Sequence, residues 1–543
     1  MFQRKMKKSI ALVMATAMSV MTLAGCGSKT QTSVIEEGTT AEPGSVTVSE
    51  VDSDRDPVEV SMFIPSRLAD ALYTDETLTF KILAEKMNMK FDIETVVNAE
   101  AKNKFSVIVA SGKTNDVMAG TLSDINKFGM SGAFLPLDDL IDEYAPNLKK
   151  YIIDNNEVHA QAAASDGKIY GIPMLTAVRT AMGYCIRQDW LDDLGMDVPV
   201  TIDDWHEVLT AFKKNDLNGN GAGDVTPLIL DRAWENYFNN FADAWGIELN
   251  GNNDYWMVKD GKVEFAPILP ETREYLSTMA EWYKEGLIDQ EFITREDTNN
   301  YHILNNKAGA TCYWTGYVAG MNSNAEVLAN DADTNWQVIQ PPVLTPDQAP
   351  RTFSQQAAVG GSAWAISSRV SEEKAIEIIK MFDYVYSDEG SMLFNFGVEG
   401  ESYQYVDGVP EYTDMVTGSE DGLVTWIRSN GMQALIGMRQ LPEYEAASCA
   451  NKDVKDQLFN YVDNNYFYDI NPSLVLTEDE QDKYDSVMSS IKIYVDEELL
   501  KFIIGSRPID EFDAFVDRIK EMGVDTAIEL ENQAYGRYAS LSK

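Results

Sequence analysis

The nine residues Asp216-Leu217-Asn218-Gly219-Asn220-Gly221-Ala222-Gly223-Asp224 carry the sharpest chemical signal in the chain. Side-chain oxygens fall at alternating positions of this loop, with glycine at its tight turn, and that spacing wraps a hard cation such as Ca2+, which takes six to eight oxygens. Asp216, Asn218, Asn220 and Asp224 would offer side chains and Ala222 its carbonyl. Pro227 stands where a regulatory calcium-binding helix–loop–helix needs a bidentate Glu, so that class is excluded. The same residues also read as an Asn-Gly-rich turn without an ion. A dinucleotide-binding loop is a poorer reading, because a helix pattern rather than a strand precedes it. Hydrolytic chemistry finds little support. His159, His206 and His302 form no HExxH, and no GxSxG elbow occurs. Among 87 acidic residues, a neighbouring pair such as Asp203/Asp204 says nothing about the two spaced carboxylates of a glycoside hydrolase.

Cys26 is the second reactive position. Met1 to Gly25 has a basic head (Arg4, Lys5, Lys7, Lys8), an apolar run from about Ile10, and small residues before the cysteine, which is the pattern of an export signal. The run is shorter than the roughly 20 residues of a bilayer span. Leu23-Ala24-Gly25-Cys26 resembles the bacterial lipobox, which implies a Cys26 thiol capped by a diacylglyceryl group, cleavage before it, and anchoring at the outer face of the cell membrane. Acyl chains in pairs hold stably where one does not.

The formal net charge of −43, less the four cations of the signal, leaves about −47, a field that repels nucleic acid and anionic lipid. A length of 543 residues with 44% apolar residues supports two packed lobes. Cys185, Cys312 and Cys449 have no metal-like spacing and imply no disulfide framework. Gly27 to about Pro57 lacks aromatic residues and reads as a tether.

Ordered structure then opens as an α/β alternation: strands at 58–64, 91–97 and 117–119 with helices at 78–87 and 102–110 between them. That pattern predicts a mainly parallel sheet. A second unit opens at 183–187, followed by a helix capped at Thr201, with Asp204 three residues on and Trp205, Val208, Leu209 and Phe212 along one face. Helices at about 271–285 and 372–386 flank an expected strand pair, 309–313 with 363–367. From Glu478 the chain is helical, with breaks at 505–508 and Gly523.

Several passages in order resemble the family 1 extracellular solute-binding lipoproteins, the capture subunits of carbohydrate ABC transporters. They are Tyr170-Gly171-Ile172-Pro173, Ile186 to Leu191 with Leu194-Gly195, Pro199 to Trp205, Ala308-Gly309-Ala310 before Tyr313-Trp314, Tyr386 to Gly390, Gly397 to Tyr403, Lys501 to Gly505 and Ala534 to Tyr538. Gln188 departs from the Lys or other polar residue common there. The resemblance implies two α/β lobes of the type II periplasmic-binding-protein fold, joined by hinge crossings, with an oligosaccharide in the cleft and no catalysis. It also implies permease and ATPase partners encoded elsewhere, since no GxxxxGK[ST] loop occurs here. A monomer is expected. The resemblance further implies a structural calcium loop, although Val225 stands where relatives place another acidic residue.

Sugars present apolar C–H faces and a rim of hydroxyls, so their sites combine aromatic platforms with planar polar groups. The candidates are Trp314 and Tyr313, Trp234 and Tyr237, Trp245, Trp426 and Arg67, with Tyr184 and Arg187 beside the first crossing as either hinge packing or site. Trp314 resembles the cleft-facing aromatic of the family. The expected organisation is a signal at 1–25, a lipidated tether at 26–57, a first lobe of 58–175 plus about 286–350, and a second of about 176–285 plus 360–543 with the C-terminal helices. A lipid-anchored glycoside hydrolase and a sensor-partner binding lipoprotein are the competing classes.

Overall fold

The computed structural model describes residues 55–68, 71–176, 182–230, 237–249, 253–294, 298–353, 358–434, 436–449, 452–469, 471–472 and 474–542. The signal segment, Cys26 and nearly all of the tether lie outside them.

Thirteen strands are described: β1 Val58–Ser66, β2 Met89–Val97, β3 Val117–Thr121, β4 Ile172–Leu175, β5 Met182–Arg187, β6 Thr226–Ile229, β7 Trp256–Lys259, β8 Lys262–Phe265, β9 Ala308–Trp314, β10 Trp336–Ile339, β11 Val359–Ile366, β12 Tyr403–Val406 and β13 Val409–Tyr412. A first sheet has the order β2-β1-β3-β11-β4 and a second β10-β5-β9-β6; β7-β8 and β12-β13 are hairpins. Both sheets are covered by helices on their faces, so their central strands are apolar throughout instead of alternating. Met62, Phe63 and Ile64 of β1, Ala363 to Ile366 of β11 and all of β5 are buried. Each sheet therefore has its own hydrophobic core. A smaller cluster around Phe396, Tyr403, Tyr412 and Ile427 sits under the β12-β13 hairpin.

Local signals predict the helices well. Thr201 and Asp204 form a reciprocal capping box on helix Ile202–Lys214, and Thr477 with Glu480 does the same for Glu478–Ile503. Chain pairing differs from expectation. The segments at 309–313 and 363–367 do not pair: β9 runs antiparallel beside β5, while β11 inserts between β3 and β4. The expected lobe boundaries are corrected accordingly. Residues 286–350 carry β9 and β10 of the second sheet, and the chain returns to the first with β11. The error arises because short apolar strands announce burial but not partner. The C-terminal helices pack on the second core as expected, with Ile491, Val495, Phe515 and Leu530 inside it.

The chain crosses between sheets at one edge of each. β4 ends at Leu175 and β5 begins at Met182; β10 ends at Ile339 and β11 begins at Val359. The Thr176 amide donates to the Ala358 carbonyl at 3.0 Å, so these two crossings lie side by side at their first-lobe ends. The segment around 436–440 extends the first sheet outward from β4: the Leu175 amide donates to the Met438 carbonyl (2.7 Å) and the Gln440 amide to the Leu175 carbonyl (2.8 Å). It then leads through helix Pro442–Ala447 toward helix Lys452–Asp463 in the second lobe.

Candidate functional site

Strand direction decides which side chains face the crossings. β1 and β3 are parallel, and β11 is antiparallel to both β3 and β4, so Arg67, next after β1, shares an edge with Leu175. In the second sheet Met182 opens β5 opposite Trp314, the last residue of β9. Ligands in open α/β sheets collect at such carboxyl-terminal strand edges.

At the second-lobe edge Trp314 keeps 37% of its surface exposed, while the other described tryptophans are buried or half-buried. Tyr313 is half-buried, its ring edge-on to Tyr317 at 5.3 Å. Trp234 lies outside the described residues. Tyr237 opens a 3-10 segment, Tyr237–Trp245, its side chain likewise outside the description. Trp245 closes that segment half-buried, edge-on to Tyr275 at 5.7 Å, and serves the core.

At the first-lobe edge the Arg67 guanidinium donates to the Gln433 carbonyl at 3.3 Å. Gln433 is buried and has positive φ, 52°, an uncommon backbone state for a residue other than glycine. Its side-chain Nε2 donates to Asn395 Oδ1 (2.8 Å), and the Leu441 backbone amide donates to the same oxygen (3.0 Å), pinning the segment. Gln440 Nε2 donates to Gln433 Oε1 (3.3 Å) and Glu445 Oε1 (3.0 Å). Burial and then neighbouring Arg428 lower the Arg67 pKa. Burial pushes the Glu445 carboxyl up, and the Tyr444 hydroxyl to about 12. Trp426 is half-buried on the small cluster nearby. Sequence reasoning finds Arg67 here but misses Arg428, Gln433, Gln440, Tyr444 and Glu445, which topology alone brings together.

Tyr184 and Arg187 belong to the interior. Tyr184 packs edge-on to Phe241 at 5.0 Å, and its hydroxyl donates to the Asn240 carbonyl at 2.6 Å. Arg187, 1% exposed, pairs with Asp189 and with Asp331 (2.7 Å), bonds Asn306 and stacks over Trp190 at 4.5 Å.

The Asp216–Asp224 loop hangs between helix Ile202–Lys214 and β6. Asp216 Oδ2 accepts from the Gly221 amide (3.0 Å), and Asn220 Oδ1 from the Ala222 amide (2.7 Å). Asn218 and Asn220 donate to Asp224 Oδ1 at 3.0 and 2.9 Å, leaving Asn218 Oδ1 buried without a partner. Lys307 Nζ sits 2.8 Å from Asp224 Oδ2, delivered by the β6–β9 pairing, and holds that carboxyl well below its usual range. No group of three or more His, Cys, Asp or Glu among the described residues is placed to hold a metal ion, so amide and carbonyl oxygens would complete any cation shell here. Two carboxylates and an orphaned amide oxygen fit a hard cation, with the Lys307 ammonium as its competitor.

The family model for bacterial extracellular solute-binding proteins matches residues 73–392. The chain belongs to this family. It is 26% identical to the fructooligosaccharide ABC transporter substrate-binding protein FusA of Streptococcus pneumoniae serotype 4, across 98% of both chains. Among solved structures, the alginate-binding protein AlgQ2 without calcium ion superposes with a TM-score of 0.72 at 26% identity, covering 89% of this chain and 98% of that one. A FusA EF-hand mutant from S. pneumoniae in complex with fructo-nystose superposes with a TM-score of 0.69 at 20% identity, covering 89% and 99%. The two-lobed architecture of this solute-binding protein is thereby established.

Arg187 positions the second lobe, so Arg187→Ala should cost about 3–5 kcal/mol by leaving Asp189 and Asp331 without their buried partner. Chemical denaturation measures the loss; a difference below about 1 kcal/mol would contradict the role assigned to it.

Proposed function

We propose that this solute-binding protein is the membrane-tethered capture subunit of a carbohydrate ABC transporter. It holds an oligosaccharide between its lobes and presents it, chemically unchanged, to permease subunits. The observation that carries this reading is Trp314, a large apolar ring left open at the edge where the chain crosses. An indole there matches the C–H face of a pyranose, while Arg67 and Gln440 supply hydroxyl partners from the opposite lobe. A ligand touching both lobes binds the closed arrangement more tightly and shifts the population toward it. The ligands of FusA and AlgQ2 support a saccharide as the solute.

The Leu23 to Cys26 motif supplies the anchor at the outer membrane face, and the protein acts as a monomer on that leash. Among the described residues no helix is long and apolar enough to cross a membrane. Asp216, Asn218, Asn220, Asp224 and the Ala222 carbonyl hold one structural calcium ion, displacing Lys307 from Asp224; the EF-hand of FusA supports this assignment.

In a thermal-shift screen of plant, host and microbial oligosaccharides, a bound glycan at about 100 times its Kd should add roughly 2.7 kcal/mol of stability. Trp314→Ala should weaken that binding about tenfold or more at an unchanged melting midpoint. Intact affinity would remove Trp314 from the site, and a glycan recovered cleaved would replace capture by catalysis. For the loop, EGTA should lower the melting midpoint of the unmodified chain, Asp216→Ala should abolish that sensitivity, and Lys307→Gln should deepen it by freeing Asp224. A midpoint indifferent to EGTA in all three would eliminate the ion.

A further inference from the structure

Acidic residues outnumber basic ones by 87 to 44, and most of the described arginines have a carboxylate partner. Arg187, Arg439, Arg507 and Arg537 each have one within 4 Å. Among the described residues Arg67, Arg351, Arg369 and Arg428 do not, and of these Arg67 and Arg428 act on one another. Arg67 spends one N–H on the Gln433 carbonyl, whereas a guanidinium offers five donors in a rigid fork. Next to it, Gln440 is 6% exposed; its Nε2 is used twice, but its Oε1 is buried and accepts nothing. Two cations, spare donors and an orphaned acceptor thus gather at the first-lobe edge beside the crossings.

We propose that the solute is a uronic-acid-containing oligosaccharide, whose carboxylate is gripped by Arg67 and Arg428 while Gln440 Oε1 accepts from a neighbouring sugar hydroxyl. This rests on the reading of the crossing edge as the saccharide site. Burying like charges together is costly unless an opposite charge joins them, and Arg67 feels both its burial and Arg428 as destabilising its charged form. Glu445 offsets this in part, but it is itself buried and one of its oxygens already accepts from Gln440. A planar carboxylate matches a guanidinium bidentately, a fit that a neutral hydroxyl pair or a single ammonium does not reproduce. The acidic surface does not forbid this ligand, because salt screens its repulsion beyond about 8–10 Å and leaves the contact itself intact.

The test is calorimetric titration with oligogalacturonate and oligomannuronate, their carboxyl-reduced neutral counterparts, a sulfated glycan and neutral fructo- and gluco-oligosaccharides. At least one oligouronate should bind about tenfold or more tighter than its carboxyl-reduced form. Arg67→Gln and Arg428→Gln should each abolish that preference at an unchanged melting midpoint. The carboxyl-reduced comparison is made on the unmodified protein and does not depend on either variant folding. Binding of neutral glycans alone, a preference for sulfate, or uronate binding that survives both substitutions would each overturn the proposal while leaving saccharide capture standing. Failure of every glycan to bind would overturn both readings.

Discussion

The structure depends on where its chain crosses. A connection between two separate cores must leave one sheet and enter the other at edges that face each other, and that requirement places β4, β5, β10 and β11 with their crossing ends together. Tyr461 reinforces this geometry from the second lobe: the Tyr184 amide donates to its hydroxyl at 2.9 Å, and that hydroxyl donates to the Ile339 carbonyl at 2.7 Å, tying β5 to β10 near their crossing ends. Thr352, in the second crossing, gives its hydroxyl to buried Asp243 at 2.6 Å, while Phe353 stacks on Tyr468 at 4.1 Å. The crossings are therefore anchored at defined points.

The two edges differ in chemistry. The second lobe contributes an open indole on a short strand end; the first contributes a polar network in which Asn395, Gln433, Gln440 and Glu445 position one another. An aromatic platform tolerates many sugars, since every pyranose has an apolar face, whereas a desolvated polar network discriminates by the cost of leaving its members unpaired. In the proposed site, affinity and selectivity thus divide between the lobes. The Asp216–Asp224 loop is separate from both: it precedes β6, and its link to the second sheet runs through Lys307 immediately before β9.

Local rules made much of the fold legible in the sequence. Thr201 and Asp204 announce their capping box by spacing alone, Gly523 marks a break between the last two helices, and β1 to β3 follow from alternation of type. Partnership between strands was not legible. Nothing in Ala308–Trp314 or Val359–Ile366 states that the first crosses to one sheet and the second to another, because burial on both faces erases the periodicity that would mark a register. The site divides in the same way. Trp314 and Arg67 stand directly after predicted strands and could be named from position. Tyr184 and Arg187 stand on a strand buried on both faces, so of the two roles their place beside the crossing allowed, packing is the one observed. Gln433, Gln440 and Glu445 lie in a segment without periodicity, and only its docking along β4 gives them a role.

A solute held by both lobes at once would draw them together, and small-angle X-ray scattering with and without a saturating oligosaccharide identified by titration measures this most directly. The radius of gyration should fall on binding and return when the ligand is removed. Superimposable curves at full occupancy would mean that the solute engages one lobe only, and the two-edged site would be wrong.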